Sequence, residues 1–519
     1  MKLEGITNLR KMASDTFWRF VPISIVVAVV SYVLGKQVVQ PHHRMIKAGL
    51  LLVVLAILVR FDMVYSLYFF IILFPFPSGL VLTSTNVILM TMIPLIWLVR
   101  SRAAGERFFA RTEIDKWILV FILAYLVSFY NVETTEAFAG GLKLFWRQLT
   151  AFALFYLIAT FVDDEEKLER ITKVVALSGG VVALTGVLEL VSPGMTLIPG
   201  WLETAHRRGV GTLGYRIEGI RLGGAVGSHE ILGDYSGLCL WLIIIHFLRA
   251  KNPIEKLFWL GLSVVSLVAL LATANRGAVV SLGVAFLYAL WVFRRHMNLV
   301  RYVVLISAVV VTFTFAQTFL ERYTLAASVT DRLTGTRFEG WTPDSRVGVW
   351  GPVFERSLDH IFIGHGPWYD VGSGLTKVFW PHNGYLFYLY TLGLFGLSTF
   401  LVIVYKIARI SLRYPHPLAA GSFVGIGLSV FGVQLVQLLL AQMRTDHQRS
   451  TDTIYMFIVW LLFGLIAAAG NMLRQRETAA ADEANAADSG GSPTHQAFGG
   501  DTTRELGEGR EATGSWAPE

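Results

Sequence analysis

The chain has 519 residues, of which 54% are hydrophobic and only 16% charged, with a mean hydropathy of +0.56; a soluble globular domain carries about 25% charged residues. These proportions exclude an ordinary water-soluble enzyme, and the richness in Leu, Ile, Val and Phe excludes a chain that stays unfolded over most of its length. The net charge of +7 is uneven, because residues 477–519 hold nine acidic side chains against two arginines, which leaves the body of the chain strongly basic.

Crossing the roughly 30 Å hydrocarbon core of a bilayer takes about 20 apolar residues in a helix. Runs of that kind lie at 18–35, 46–59, 62–76, 80–99, 116–130, 143–162 and 173–191, then at 235–248, 257–273, 277–293, 299–318, 382–405, 419–441 and 453–470. Three of them, at 46, 62 and 235, are short, so the expectation is 12 to 14 spans. The first 20 residues show no small-residue cleavage site after a short apolar core, so the first run reads as a retained span. Cys239 is the one cysteine; it can form neither an intrachain disulfide nor a cysteine metal cage, and it reads as a buried spectator thiol.

Short loops rich in Lys and Arg stay cytoplasmic. With the N-terminus inside, the inner segments hold 23 Lys and Arg and the short outer loops hold 6, which favours both termini in the cytoplasm. Two long loops, 192–234 and about 319–381, then fall outside, and loops of that length are usually functional or disordered. The second contains an amphipathic pattern, Val347, Trp350, Phe354 and Leu358, that predicts a helix with Asp344 or Ser345 as N-cap. Pro352 should kink this helix, and Gly364 and Gly366 should end it over a cavity at the outer membrane surface. The whole reads as an all-α polytopic integral membrane protein. A membrane domain over 1–476 has its core at about 216–400, and a disordered, acidic, cytoplasmic tail covers 477–519.

Charged groups at a membrane edge are costly unless paired, so their placement is informative. Arg221 precedes Gly223, Gly224 and Gly227; Arg276 sits in the turn Ala274-Asn275-Arg276-Gly277; His382 sits in Pro381-His382-Asn383-Gly384. All three fall at one predicted membrane level. Two guanidiniums offer forked donors suited to phosphate oxygens, and an imidazole can take a proton near neutral pH. Together they suggest group transfer from a diphosphate leaving group to a hydroxyl. Each has a plainer reading: Arg276 as an interfacial anchor, Arg221 as an ion-pair partner of Glu218 or Glu230, and His382 as a helix-start residue. The basic residues lie in short loops and not on a folded soluble face, which speaks against nucleic acid as a partner.

The ordered set of Arg221-x-x-Gly224, Thr273-x-x-Arg276-Gly277, Ser345-Arg346 with Trp350, Gly364-x-Gly366, His382-Asn383 and Gly393-x-x-Gly396 resembles the O-antigen ligase and polymerase superfamily over roughly 221–400. The resemblance implies inverting glycosyl transfer that needs neither metal nor cofactor, at the periplasmic face of a bacterial inner membrane. The donor would be an undecaprenyl-diphosphate-linked glycan and the acceptor a hydroxyl of a glycan or lipid-anchored sugar. Arg276 and Arg221 would hold the diphosphate, and His382 would take the acceptor proton. Arg346 would brace the loop or touch phosphate, and Asn383 would fix the histidine ring. Arg216 competes with Arg221 for the first arginine role. His229 stands where relatives often carry the second residue of a Pro-Asn pair. The span count favours a polymerase over a ligase, which would share the donor and differ in acceptor. The non-enzymatic alternative is a lipid-glycan flippase or transporter, for which charges at mid-bilayer and paired broken helices are expected.

Overall fold

Small polar residues set where the helices begin. Thr134, Ser228, Asn252, Asn275 and Ser422 each accept a hydrogen bond from a backbone N–H in the first turn of the following helix. Pro253 takes a first-turn position, where the missing N–H costs nothing. The structure, a computed structural model, describes residues 60, 63–75, 85–104, 109–191, 222–226, 228–294, 299–323, 347–368, 381–413, 422–443 and 453–489.

Among these residues every regular element is helical. The α-helices are α1 (Met63–Leu73), α2 (Thr85–Ala104), α3 (Asp115–Ser128), α4 (Thr135–Phe161), α5 (Glu165–Val191), α6 (His229–Arg249), α7 (Pro253–Ala272), α8 (Arg276–Phe293), α9 (Leu299–Tyr323), α10 (Val347–Ser357), α11 (Gly384–Arg413), α12 (Phe423–Gln442) and α13 (Thr453–Ser489). Two 3-10 turns, Phe129–Asn131 and Gly224–Val226, complete them. Eight helices, α4 to α8 and α11 to α13, are long and apolar enough to cross a membrane. The chain is a polytopic membrane protein. The apolar runs expected at 18–35 and 46–59 lie outside the described residues.

Two boundaries differ from the sequence expectation. The run predicted to begin at 235 starts at His229, because Ser228 caps it and the polar residues His229, Glu230 and Asp234 belong to its first turns. That lengthens α6 to 21 residues, a full crossing. At the other end of the chain α13 continues to Ser489, past the point where the predicted tail begins. The chain divides into two compact units, Met1–Leu473 and Arg474–Glu519. Of the second, residues 474–489 are described as helix, and their side chains are exposed from Gln475 onward wherever they are described.

In the first unit α6 lies at the centre, with α5, α7 and α12 around it. Its contacts fix the register. Tyr235 Oη donates to Ser178 Oγ of α5 (3.3 Å), Gln434 Nε2 of α12 donates to Leu238 O (2.7 Å), and Trp241 Nε1 donates to Gln437 Oε1 (2.8 Å). Gly179 faces Cys239 so closely that a Cβ there would collide with the thiol, and Cys239 is buried. Small residues of this kind let membrane helices approach. α8 runs antiparallel to α12, joined through Ala285, Ala289 and Val433. Outward apolar side chains such as Leu257, Leu260, Val280, Leu287, Val303 and Val310 are exposed, a surface suited to hydrocarbon and not to water.

The two ends of this bundle are unlike. One carries the start of α5 and the end of α6, with ion pairs Lys173–Glu169 (3.1 Å) and Arg249–Glu169 (3.5 Å). There the Glu165 carboxylate also accepts from Ser422 Oγ (3.0 Å) and from the Phe423 N–H at the start of α12. The other end carries the end of α5, the start of α6, the α7–α8 turn, the end of α12 and the start of α11, and it holds the candidate site.

α11 is not the single uninterrupted span that the sequence predicts. At Gly393 the backbone takes φ +66° and ψ −168°, which breaks the helix. A break leaves main-chain groups without partners, and inside a membrane protein those must be satisfied by other protein groups. Residues 361–366 do this. The N–H groups of His365 and Gly366 donate to Tyr390 O (2.9 Å) and Thr391 O (3.1 Å), while Leu394 and Phe395 N–H donate to Ile361 O (2.7 Å) and Phe362 O (3.0 Å). Gly364 and Gly366, also at positive φ, therefore serve this crossing and do not terminate α10, which already ends at Ser357.

Candidate functional site

The segment after Arg221 is pinned through consecutive main-chain groups. Leu222 N–H donates to Ala272 O at the end of α7 (3.4 Å), Gly223 and Gly224 N–H donate to Glu189 Oε2 of α5 (3.2 and 2.8 Å), and Ala225 N–H donates to Thr185 Oγ1 (2.9 Å). Gly224 has φ +52° and packs on the α5 backbone, where a Cβ would fall 3.2 Å from Gly186 N. Arg221, Arg216 and Arg346 lie outside the described residues.

Arg276 is the first residue of α8, partly buried, in a turn whose Ala274 adopts φ +47°. Thr273 Oγ1 donates to Leu270 O (2.6 Å) and accepts from Asn275 N–H (3.2 Å), and Asn275 Oδ1 accepts from Ala278 N–H (3.3 Å). α6 packs directly on this turn, since a Cβ on Gly233 would stand 3.1 Å from Thr273 Oγ1 and 3.4 Å from Asn275 Nδ2. His229 lies one helical turn before Gly233, on the same face of α6. In the next turn the buried Asp234 accepts a hydrogen bond from Tyr455 Oη (2.8 Å).

His382 is partly buried and has φ +48°, a conformation that costs a residue with a Cβ about 1–2 kcal/mol and is concentrated at functional sites. Trp350 Nε1 of α10 donates to Pro381 O (2.9 Å), so the amphipathic helix holds the histidine turn from the side. Asn383 Oδ1 caps α11 by accepting from Tyr385 and Leu386 N–H (3.0 and 3.1 Å), and Tyr385 Oη donates to Leu439 O of α12 (3.2 Å). The acceptor atom of Asn383 is thus spent on the helix start. Pro352 lies inside α10.

Between α10 and α11 lies a cavity of about 460 Å³, lined by Trp350, Gly351, Phe354, Asn383, Tyr385, Leu386, Leu389 and Leu397. Its wall is almost entirely apolar, with Asn383 supplying a polar group beside His382. Behind it, His365 Nε2 lies 2.9 Å from Arg356 O, and because a carbonyl only accepts, the neutral ring carries its proton on Nε2. Burial first, then the neighbouring His360 and Arg356 against the opposing Asp359 carboxylate, lowers the His365 imidazole to about 4.

The starts of α6 and α8 and the end of α12 lie at one end of the bundle, and α11 begins beside that end of α12, so His229, Arg276, His382 and Asn383 stand at the same end. Sequence reasoning missed Glu189, Gln442 and the Asp234–Tyr455 pair. A lone carboxylate at the end of an apolar run is a usable signal for Glu189; the other partners are distant in the chain and leave none. Residues 261–401 match the family model described as O-antigen ligase. Over these residues the chain is similar to that family. The matched stretch runs from within α7 to beyond the break in α11 and contains Arg276, Arg346, His382 and Asn383, while Arg216, Arg221 and His229 precede it. Comparison with curated proteins finds no match.

Proposed function

We propose that this protein transfers a glycan from an undecaprenyl-diphosphate-linked donor to a sugar hydroxyl in the assembly of a cell-surface polysaccharide. The observation that carries the reading is that the Arg276 turn and the His382 turn stand at the same end of the bundle, within the stretch that matches the O-antigen ligase family model. Arg276, with Arg221, holds the diphosphate and stabilises the charge that grows on it as the glycosidic bond breaks. His382 accepts the proton of the attacking hydroxyl, and attack opposite the leaving group inverts the anomeric carbon. The chemistry calls on no metal or cofactor. Arg346 adds a phosphate contact or braces the loop, Arg216 is the alternative to Arg221, and His229 is a substrate contact.

The basic end of the bundle, with Lys173, Arg249 and the loops around them, then faces the cytoplasm together with both termini, and the site opens to the periplasm of a bacterial inner membrane. A polymerase is preferred over a ligase. The broken α11 and the buried Arg147 midway along α4 are the features that favour a flippase, because transporters bind substrates at the free ends of half-helices and carry charges at mid-bilayer. Here residues 361–366 take up main-chain groups on both sides of the break, which speaks for the enzyme.

The test is to delete the gene and restore it as wild type, R276A or H382A at equal membrane abundance. Surface glycan separated by size should recover its long chains only with the wild type. Single repeat units on their anchor in the mutants mark a polymerase; long chains left on the lipid carrier mark a ligase. Full recovery with both variants would overturn the proposal.

A further inference from the structure

Gln442, the last residue of α12, is only 1% exposed, and among the described residues neither its Oε1 nor its Nε2 has a hydrogen-bond partner. An amide left this way costs the desolvation of both atoms, so a folded protein gains by replacing it with an apolar side chain unless the amide serves something else. Its surroundings indicate what that is. A Cβ added at Gly384 would lie 3.5 Å from Gln442 Oε1, so the carboxamide stands beside the start of α11, two residues from His382. α12 is also packed antiparallel on α8, through Ala285 and Val433 and through the approach of Gly432 to Tyr288, and this register brings its last turn level with Arg276. Gly384 leaves the space next to the amide unfilled by a side chain of its own.

The chemistry of the unmatched atoms narrows the ligand. A carboxamide offers two donors and one acceptor. A phosphate oxygen at neutral pH would use the donors and leave Oε1 unpaired. A hydroxyl both donates and accepts, so a sugar hydroxyl can satisfy both ends.

We propose that Gln442 binds the sugar acceptor, its carboxamide pairing with hydroxyls beside the one that His382 deprotonates. This rests on the transferase reading above. The amide adjoins the Pro381-His382-Asn383 turn that Trp350 holds, so the acceptor meets both groups with that turn in place. Gln442 is then a specificity-determining residue whose burial costs stability in the absence of substrate.

The experiment uses the full-length protein in detergent and the lipid-linked donor and acceptor fractions that accumulate in cells deleted for the gene. Q442M keeps the length of the side chain and removes both unmatched atoms. The expected result is a melting temperature equal to or above the wild type, an acceptor KM raised about tenfold or more, and a donor KM within about twofold. An unchanged acceptor KM would sink the idea. So would a lower melting temperature or failure to accumulate, because that outcome means the amide is already satisfied, by ordered water for instance. Failure of the transferase reading looks different: the wild type then transfers nothing, or R276A and H382A remain as active as the wild type.

Discussion

The rings of Tyr388 and Phe400 lie 4.7 Å apart, centroid to centroid, although the residues are twelve positions apart on α11. A continuous helix would separate them by about 18 Å along its axis. The two halves of α11 therefore fold sharply toward each other at Gly393, and Phe121 of α3 packs against both rings. The second half alone, from Leu394 to Arg413, is about 30 Å long and spans a bilayer by itself. The first half is thereby free to serve as a platform for His382 and Asn383.

Gly393→Ala places a Cβ at positive φ and against the Phe362 backbone. The conformational term alone is about 1–2 kcal/mol, and the overlap adds to it. The variant should melt several degrees below the wild type, as followed by fluorescence-detected size exclusion. Gly261→Ala and Gly283→Ala, where a Cβ meets nothing within 4 Å, should leave the melting temperature unchanged or slightly raised.

Arg276→Lys keeps a positive charge and loses the planar fork. Transfer should fall about tenfold or more, and Arg276→Ala should cost about 10²–10³ in rate, the range seen when a donor to developing negative charge is removed. Equal rates for Lys and Arg would show that charge alone matters there. The measurement is initial transfer rate at saturating acceptor.

Trp350→Phe retains an aromatic ring over the cavity and removes the N–H that holds Pro381 O. One neutral hydrogen bond is worth about 1 kcal/mol, so transfer should drop about fivefold with membrane abundance held. A loss confined to abundance would place Trp350 in folding and not in holding the histidine turn.

Glu189→Ala removes a charged acceptor shared by the Gly223 and Gly224 N–H groups, each such bond being worth about 1.5–3 kcal/mol. Glu189→Gln keeps an acceptor oxygen and should retain most of the lost stability. Limited proteolysis should cut the Ala variant faster within 192–228, with Gln close to wild type.

His365 supplies a pH dependence whose sign follows from its lowered pKa. The unfolded imidazole, with a reference pKa of about 6.5, takes a proton that the folded ring refuses until about 4. Unfolding takes up a proton between those values, so stability is complete above about 6.5 and falls as the pH drops toward 4. His365→Gln should flatten that part of the melting-temperature curve. An identical decline in both proteins would assign the acid sensitivity elsewhere.

Apolar runs and their polar caps are local, which is why the spans of α4 to α8, α12 and the apolar part of α13 are legible from the chain alone. The Thr273 to Arg276 turn is legible for the same reason: Asn275 is both the cap of α8 and the neighbour of the arginine. The break at Gly393 is not, because a glycine in an apolar run usually marks close helix packing, and the partners that stabilise this break come from residues 361–366. The early start of α6 escapes hydropathy because its first turns are polar. Gln442 reads as an ordinary end-of-helix residue until Gly384 is seen beside it.

The tie between residues 361–366 and Gly393 bears on attempts to retarget the protein by exchanging parts. A chimaera that swaps the loop before α11 for that of a relative, yet retains the recipient's own α11, would strand amides and carbonyls on both sides of the seam. The two pieces form a single transplantable module, and any redesign of this region has to move them together or leave both in place.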